Sequence, residues 1–148
     1  MVNTQELAQA FARALNAADW DTVASYLTDD FQFSGPVPEP VGAAEWIGLN
    51  RTMQAGMPDM SINLRIIAIN RNAIQSEVQI TGTHTSDLDL TPLGIGVIPA
   101  TGKSVTLPKE TGVARVQDGK IVSIHLNTPK DGGIAGLLAQ LGVQPPQR

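Results

Sequence analysis

The stretch of residues 74–90, IQSEVQITGTHTSDLDL, decides the fold. Its even-numbered positions are mostly apolar, and its odd-numbered positions are all polar. Because successive side chains of a β-strand point to opposite faces, this alternation predicts a long strand with one face toward the core. His84 lies on the apolar face, so we expect its imidazole to project into the interior beneath the N-terminal helices.

Helical patterns fill most of the chain before this strand. Asn3 followed by Glu6 is typical of a helix start, and apolar residues recur at helical spacing after it. Residues 34–42 contain three prolines and two glycines, which predicts a loop. The predicted helices cover residues 7–18, 20–27 and 43–55, and Asp19 precedes the second of them. A short strand covers residues 31–33.

The remainder of the chain has mostly the period of β-strands. Asp118-Gly119 is a hairpin turn between two of these strands. Besides residues 74–90, the predicted strands cover residues 60–66, 103–116 and 121–128, and a last short helix covers residues 134–141. Three helices followed by consecutive strands predict an α+β fold with an antiparallel sheet.

Composition excludes several classes of protein. The 148 residues suit one domain, 1–148, and their 10 basic and 14 acidic side chains give a formal net charge of −4. The basic residues are scattered, so we expect no nucleic acid partner. Residues 93–100, the longest weakly polar run, are far short of the ~20 that span a bilayer, and we expect no membrane contact. We see no signal peptide.

The chain contains no cysteine, which excludes disulfides, zinc–thiolate centres and a thiol nucleophile and suits a cytoplasmic protein. His84 and His125 are the only imidazoles, and no metal-ligand motif accompanies them. We therefore predict no metal site.

Four short motifs occur in a recognisable order: Gly82-Thr83-His84-Thr85, PATGK at 99–103, DGKI at 118–121 and GLLAQLG at 136–142. Together they resemble the SnoaL-like polyketide cyclase family, within the nuclear transport factor-like superfamily. The resemblance implies a cone-shaped, curved antiparallel sheet wrapped around three N-terminal helices, with an apolar cavity. It also implies cofactor-free ring closure, in which a carboxylate removes a carbon-bound proton and a histidine assists.

The resemblance places the family histidine at His84, but the family aspartate falls on Gly133. Asp131 is a nearby candidate base, although a loop carboxylate beside Lys130 is expected to be solvated. Glu110 is the alternative base if its face of the strand lines the cavity, because burial would raise its pKa. Pro108 indicates a bulge that can exchange the two faces of that strand.

Periodicity and family resemblance disagree about His125. Alternation puts His125 and Asn127 on the face away from the core, whereas the family register puts that face toward the cavity. We carry both as candidate ligand-binding residues. The other candidates for lining a cavity are large side chains of the core: Tyr26, Phe33, Trp46 and Met53.

These observations leave three hypotheses open. The first is a cofactor-independent cyclase or isomerase of a small apolar carbonyl compound, with His84 relaying protons and Glu110 or Asp131 as base. The second is a non-catalytic module that binds a hydrophobic ligand, and the third is a structural dimer. The apolar loop at residues 87–102 suits a pocket lid or a dimer contact, and we expect a homodimer.

Overall fold

The computed structural model describes residues 3–35, 39–91 and 94–143. Parts of the predicted loops, residues 36–38 and 92–93, lie outside the described residues. These ranges contain four α-helices: α1 Thr4–Asn16, α2 Trp20–Ser25, α3 Ala43–Gly56 and α4 Gly133–Gln140. All four correspond to predicted helices, with ends that differ by a few residues.

The predicted helix starts are confirmed in atomic detail. The Asn3 side chain accepts a hydrogen bond from the backbone N–H of Glu6 at 2.8 Å, which caps α1. Asp19 caps α2 through the N–H of Thr22. The apolar stripe of α1 is buried, because its spacing puts Leu7 and Phe11 on the face toward the sheet.

In the described part of the chain, nine strands form one large and two small sheets. They are β1 Leu27–Ser34, β2 Arg65–Ile69, β3 Ala73–Val78, β4 Thr81–Thr83, β5 Leu88–Asp89, β6 Val97–Ile98, β7 Ser104–Thr106, β8 Glu110–Gln117 and β9 Lys120–Asn127. The large sheet has the order β1-β9-β8-β3-β2, whereas β4 pairs with β7 and β5 with β6. The mixed architecture confirms the predicted α+β fold and its curved sheet.

The long strand predicted over residues 74–90 is broken into β3, β4 and β5. The alternation of burial nevertheless persists through the breaks, since Ile74, Val78, His84 and Leu88 are all buried. The strand predicted over 103–116 likewise divides into β7 and β8. The reason is that β4 and β7 pair with each other in a separate small sheet. Each of the two predicted strands therefore breaks where it leaves the large sheet.

Three further predictions about strands are corrected. The sheet is not wholly antiparallel, because β1 runs parallel to β9. This strand also begins at Leu27, four residues earlier than predicted. The strand predicted from Met60 begins only at Arg65, although Met60 and Ile62 are buried as their alternation indicates.

The predicted hairpin turn between β8 and β9 is confirmed. Gln117 pairs with Lys120, and the two residues between them have positive φ angles, 53° at Asp118 and 77° at Gly119. Positive φ at both central positions defines the type I′ turn that Asp-Gly favours. This turn sets the pairing next to it, and a bulge between Arg115 and Val116 then shifts the register of β8 against β9 by one residue.

The core lies between the large sheet and the helices. An aromatic cluster occupies its centre: Trp46 of α3 stacks on Phe33 at a centroid distance of 5.5 Å and on Phe11 at 6.4 Å. Phe31 completes the cluster at 5.4 Å from Trp46. Within the described ranges, none of the helices is both long and apolar enough to cross a bilayer.

Candidate active site

A cavity of about 120 Å³ lies between the inner face of the sheet and the helices. The sheet contributes mainly Ile74, Ser76 and Val78 of β3, Glu110 and Ala114 of β8, and Ile124 and Leu126 of β9. The helices contribute Phe11 and Leu15 of α1, Trp46, Asn50 and Met53 of α3, and Gly133 and Ile134 at the start of α4. The lining is apolar except at Ser76, Asn50 and Glu110.

Glu110 is the only titratable residue among the described residues that line this cavity. It is the first residue of β8, opposite Val78 of β3, and it is 5 % exposed. Burial raises the pKa of the Glu110 carboxyl, because the charged form loses its hydration. The sequence made Glu110 a candidate base on the condition that its face of the strand lines the cavity. In the structure Glu110 does line it.

The break between β7 and β8, which contains Pro108, explains why Glu110 faces inward. Leu107 and Glu110 both line the cavity although they are an odd number of positions apart, which strict alternation forbids. The residues between β7 and β8 therefore exchange the two faces, as the proline indicated. Beyond them the inward face continues regularly through Gly112 and Ala114, both buried.

Thr128, just after β9, affects the pKa of Glu110. Its hydroxyl lowers the pKa of the Glu110 carboxyl and so partly offsets the effect of burial. The oxygen Oγ1 of Thr128 is itself buried and makes no hydrogen bond of ordinary geometry to the described residues. This threonine was not among the residues singled out from the sequence.

Ser76 and Asn50 are the two uncharged polar residues of the lining, and sequence reasoning passed over both. Ser76 is two positions from Val78, so it lies diagonally across from Glu110 on the same face of the sheet. Asn50 donates from Nδ2 to the backbone oxygen of Trp46 at 2.9 Å. The signals were present: Ser76 interrupts an apolar face, and Asn50 shares a helix face with Trp46 and Met53.

The aromatic and methionine candidates divide into two groups. Trp46, Phe33 and Met53 line the cavity. Tyr26 does not, and it instead packs edge-on against Phe11 at a centroid distance of 6.4 Å. No cluster of three or more His, Asp or Glu side chains suited to a metal ion occurs within residues 3–35, 39–91 and 94–143.

The family follows from a comparison of the sequence with known families. Residues 8–124 match the model of the SnoaL-like domain. This chain belongs to the SnoaL-like domain family. The predicted resemblance is thereby confirmed over most of the sequence. The sequence matches no curated protein.

Solved structures with the same fold cover almost the whole SnoaL-like domain. AclR, a candidate hydroxylase of Streptomyces galilaeus, is 20% identical with a TM-score of 0.71, over 93% of this chain and 94% of that one. A candidate SnoaL-like polyketide cyclase of Jannaschia sp. CCS1 is 15% identical with a TM-score of 0.71, over 97% and 96%. IdmH, a candidate polyketide cyclase of Streptomyces antibioticus, is 22% identical with a TM-score of 0.68, over 94% and 98%. At identities this low, the likeness to these structures establishes the fold alone.

The SnoaL-like domain buries His84 completely but does not bring it to the cavity. His84 points inward, as the alternation predicted. The prediction that it lies on the cavity wall is wrong. The physical reason is the break after β3: at β4 the same face packs on Met57 and Met60, as the surroundings of Gly82 show. His84 is therefore buried outside the cavity wall.

The other candidate base, Asp131, is exposed and does not line the cavity. The solvated position expected for this loop carboxylate is thus what the structure shows. Gly133, the position that the family resemblance assigns to an aspartate, does line the cavity. The SnoaL-like domain therefore has its inward carboxylate on β8 and a glycine at the start of α4.

His125 and Asn127 are exposed on the outer face of β9. Periodicity was the better guide here, since Ile124 and Leu126 take the inward positions. Nδ1 of His125 lies 2.9 Å from the hydroxyl oxygen of Ser34 on the neighbouring β1. Both His125 and Asn127 line a separate, open depression at the surface.

Proposed function

We propose that this SnoaL-like domain is a cofactor-independent cyclase or isomerase that binds a small apolar carbonyl compound in the cavity, with Glu110 as the base. The observation that carries the proposal is one buried carboxyl group in a lining that is otherwise almost entirely apolar. The homodimer and the cytoplasmic location stay predictions.

The first step is a proton transfer from carbon to oxygen. The Glu110 carboxylate takes a proton from the carbon next to the carbonyl group, and the electron pair left behind delocalises onto the carbonyl oxygen as an enolate. A raised pKa makes Glu110 a stronger base than an exposed carboxylate. Ser76 and Asn50 are the uncharged hydrogen-bond donors of the lining and would stabilise the enolate oxygen.

The second step decides between the two reaction types. In an isomerisation, Glu110 returns the same proton to another carbon of the conjugated system. In a cyclisation, the enolate carbon attacks a second carbonyl carbon of the same molecule, forming a carbon–carbon bond, and the proton goes to the new alkoxide oxygen. In both reactions Glu110 gives the proton back to the product and ends as the carboxylate with which it began, and no oxidant or reductant is consumed.

The apolar lining supports a second candidate function, a module that holds a small apolar molecule without converting it. Cavities that bind drug-sized ligands measure roughly 300–1,000 Å³, and this one measures about 120 Å³. The volume therefore limits the ligand of either function to a small molecule. The two functions differ in one observable, which is whether Glu110 moves a proton.

Hydrogen exchange at carbon tests the proposal without knowledge of the natural substrate. The probes are cyclohexanone and acetophenone in heavy water, and NMR follows the incorporation of deuterium next to the carbonyl group. We expect exchange above the buffer rate for the protein and a loss of about 100-fold or more in Glu110→Gln. The matched control is Glu77→Gln, the same change on β3 at a carboxylate paired with Arg65 outside the cavity, and it should exchange normally.

Binding of the same ketones separates the two functions. If saturation-transfer NMR shows that the protein binds a ketone, yet exchange is no faster than in Glu110→Gln, the enolisation proposal is rejected in favour of the binding module. If Glu110→Gln exchanges at the unsubstituted rate, another group is the base and the assignment of Glu110 is wrong.

A further inference from the structure

The cavity and the open surface depression share part of one wall. Three residues line both spaces: Leu126 of β9, and Gly133 and Ile134 at the start of α4. The inner and outer spaces therefore adjoin at these three residues.

The two spaces differ in size and chemistry. The inner one holds about 120 Å³ and is almost wholly apolar, whereas the outer one holds about 500 Å³ and is open to solvent. His125, Asn127 and Thr128 give the outer space polar side chains. Neither Nε2 of His125 nor the side-chain amide of Asn127 hydrogen bonds to another residue in the part of the chain that the structure describes.

We propose that the outer depression is the mouth of the cavity, and that the ligand is an elongated amphipathic carbonyl compound with its apolar carbonyl end inside and a hydroxyl or carbonyl group at the mouth, hydrogen-bonded to His125 and Asn127. Only the identity of the inner end rests on the proposed function. The mouth itself follows from the shared wall.

Ile134 is the side chain whose size controls the passage. It is half-buried and belongs to both spaces, and it follows Gly133, which has no side chain to obstruct the opening. Ile134→Ala should therefore widen the passage, and Ile134→Trp should fill it. Ala139 is exposed on the same helix and lines neither space, so Ala139→Trp is the matched control for an added indole.

The rate of ligand uptake tests the passage. Acetophenone is mixed with the protein in a stopped-flow instrument, and quenching of Trp46, which lines the cavity, reports its arrival. We expect Ile134→Ala to raise the association rate constant about threefold or more and Ile134→Trp to lower it about tenfold, with Ala139→Trp unchanged. If both Ile134 variants take up acetophenone at the rate of the unsubstituted protein, the mouth lies elsewhere and the inference is overturned.

A pair of ligands tests the polar end. Methyl heptyl ketone is compared by calorimetry with the same ketone carrying a hydroxyl at the far end of its chain. One hydrogen bond at the mouth should make the hydroxy compound bind about fivefold more tightly, and the double variant His125→Ala/Asn127→Ala should abolish that difference. An equal preference in the double variant would overturn the role of these two residues.

These readouts are independent of proton transfer. Uptake rates and the hydroxyl preference are unaffected if Glu110 proves not to be a base, and hydrogen exchange is unaffected if the ligand enters by another path. Failure of the proposed function and failure of this inference are therefore distinguishable.

Discussion

Nδ1 of His84 accepts a hydrogen bond from the backbone N–H of Thr101 at 3.3 Å and lies 2.9 Å from the hydroxyl oxygen of the same residue. Because a backbone N–H can only donate, Nδ1 is an acceptor, and the ring proton of the neutral imidazole is on Nε2. The backbone of His84 adds bonds to Lys103 and Gly102 on the same segment. His84 thus ties the end of β4 to the chain that leads into β7.

We expect His84→Ala to lower the free energy of unfolding by about 2–4 kcal/mol, because it leaves a void and removes buried hydrogen bonds. Hydrogen exchange at the ketone, per folded molecule, should stay within about twofold. Urea unfolding and the NMR exchange assay measure the two effects, and Thr101→Val, which removes only the hydroxyl, should cost about 1 kcal/mol. A stable His84→Ala protein that no longer exchanges would return the imidazole to the catalytic site.

The free energy of unfolding should fall as pH rises through the range in which Glu110 ionises. Burial raises its pKa in the folded state, so between the ordinary carboxyl pKa of the unfolded chain and the raised value the folded protein binds more protons. The loss of unfolding free energy caused by ionising Glu110 is absent at pH values below its pKa in the unfolded chain. It is complete above its pKa in the folded protein. Glu110→Gln should therefore be more stable than the unsubstituted protein at neutral pH, with the difference shrinking in acid.

Urea midpoints measured at neutral pH and near pH ~4 check this prediction. Glu77→Gln is the control, because the Glu77 carboxylate is partly exposed and lies 3.0 Å from Arg65, and its loss should not stabilise the protein. A Glu110→Gln protein that is less stable than the unsubstituted one at neutral pH would show that the buried carboxylate is well compensated.

Thr128→Val should shift the pH dependence of catalysis. The Thr128 hydroxyl lowers the pKa of Glu110, so removing it raises that pKa further, and exchange, which needs the carboxylate, should reach half its maximum at a higher pH. Thr28→Val is an isosteric control on β1, where Oγ1 is also buried without a partner among the described residues. An unchanged profile in Thr128→Val, or the same shift in Thr28→Val, would contradict the assigned effect.

Gly133→Asp should place a second carboxylate at the cavity, where the family resemblance has one. Gly133 has a φ angle of 67°, so a side chain there costs about 1–2 kcal/mol of stability. Repulsion between two nearby carboxylates raises the pKa of one of them, and the exchange profile should move to higher pH. Gly133→Asn carries the same strain without the charge, and it should lose stability without the shift. Equal profiles for the two variants would show that the carboxylates do not interact.

The local pattern of the sequence was enough to predict much of the fold. Helix starts at Asn3 and Asp19, the Asp118-Gly119 turn and the inward face of residues 74–90 depend on neighbours a few positions apart, and all of them are confirmed. The parallel pairing of β1 with β9 joins residues that are far apart in the chain, so no local pattern indicated it.

The sequence by itself determined that His84 is buried and that Glu110 could be a base, because alternation fixes the face of a strand on which a side chain lies. Only the tertiary structure decided that Glu110 reaches the cavity and His84 does not. The break between β7 and β8 turns Glu110 inward, and the separation of β4 from the large sheet carries His84 away from the cavity wall. Alternation determines the strand face on which a side chain lies, whereas the surroundings of that side chain depend on how distant segments pack.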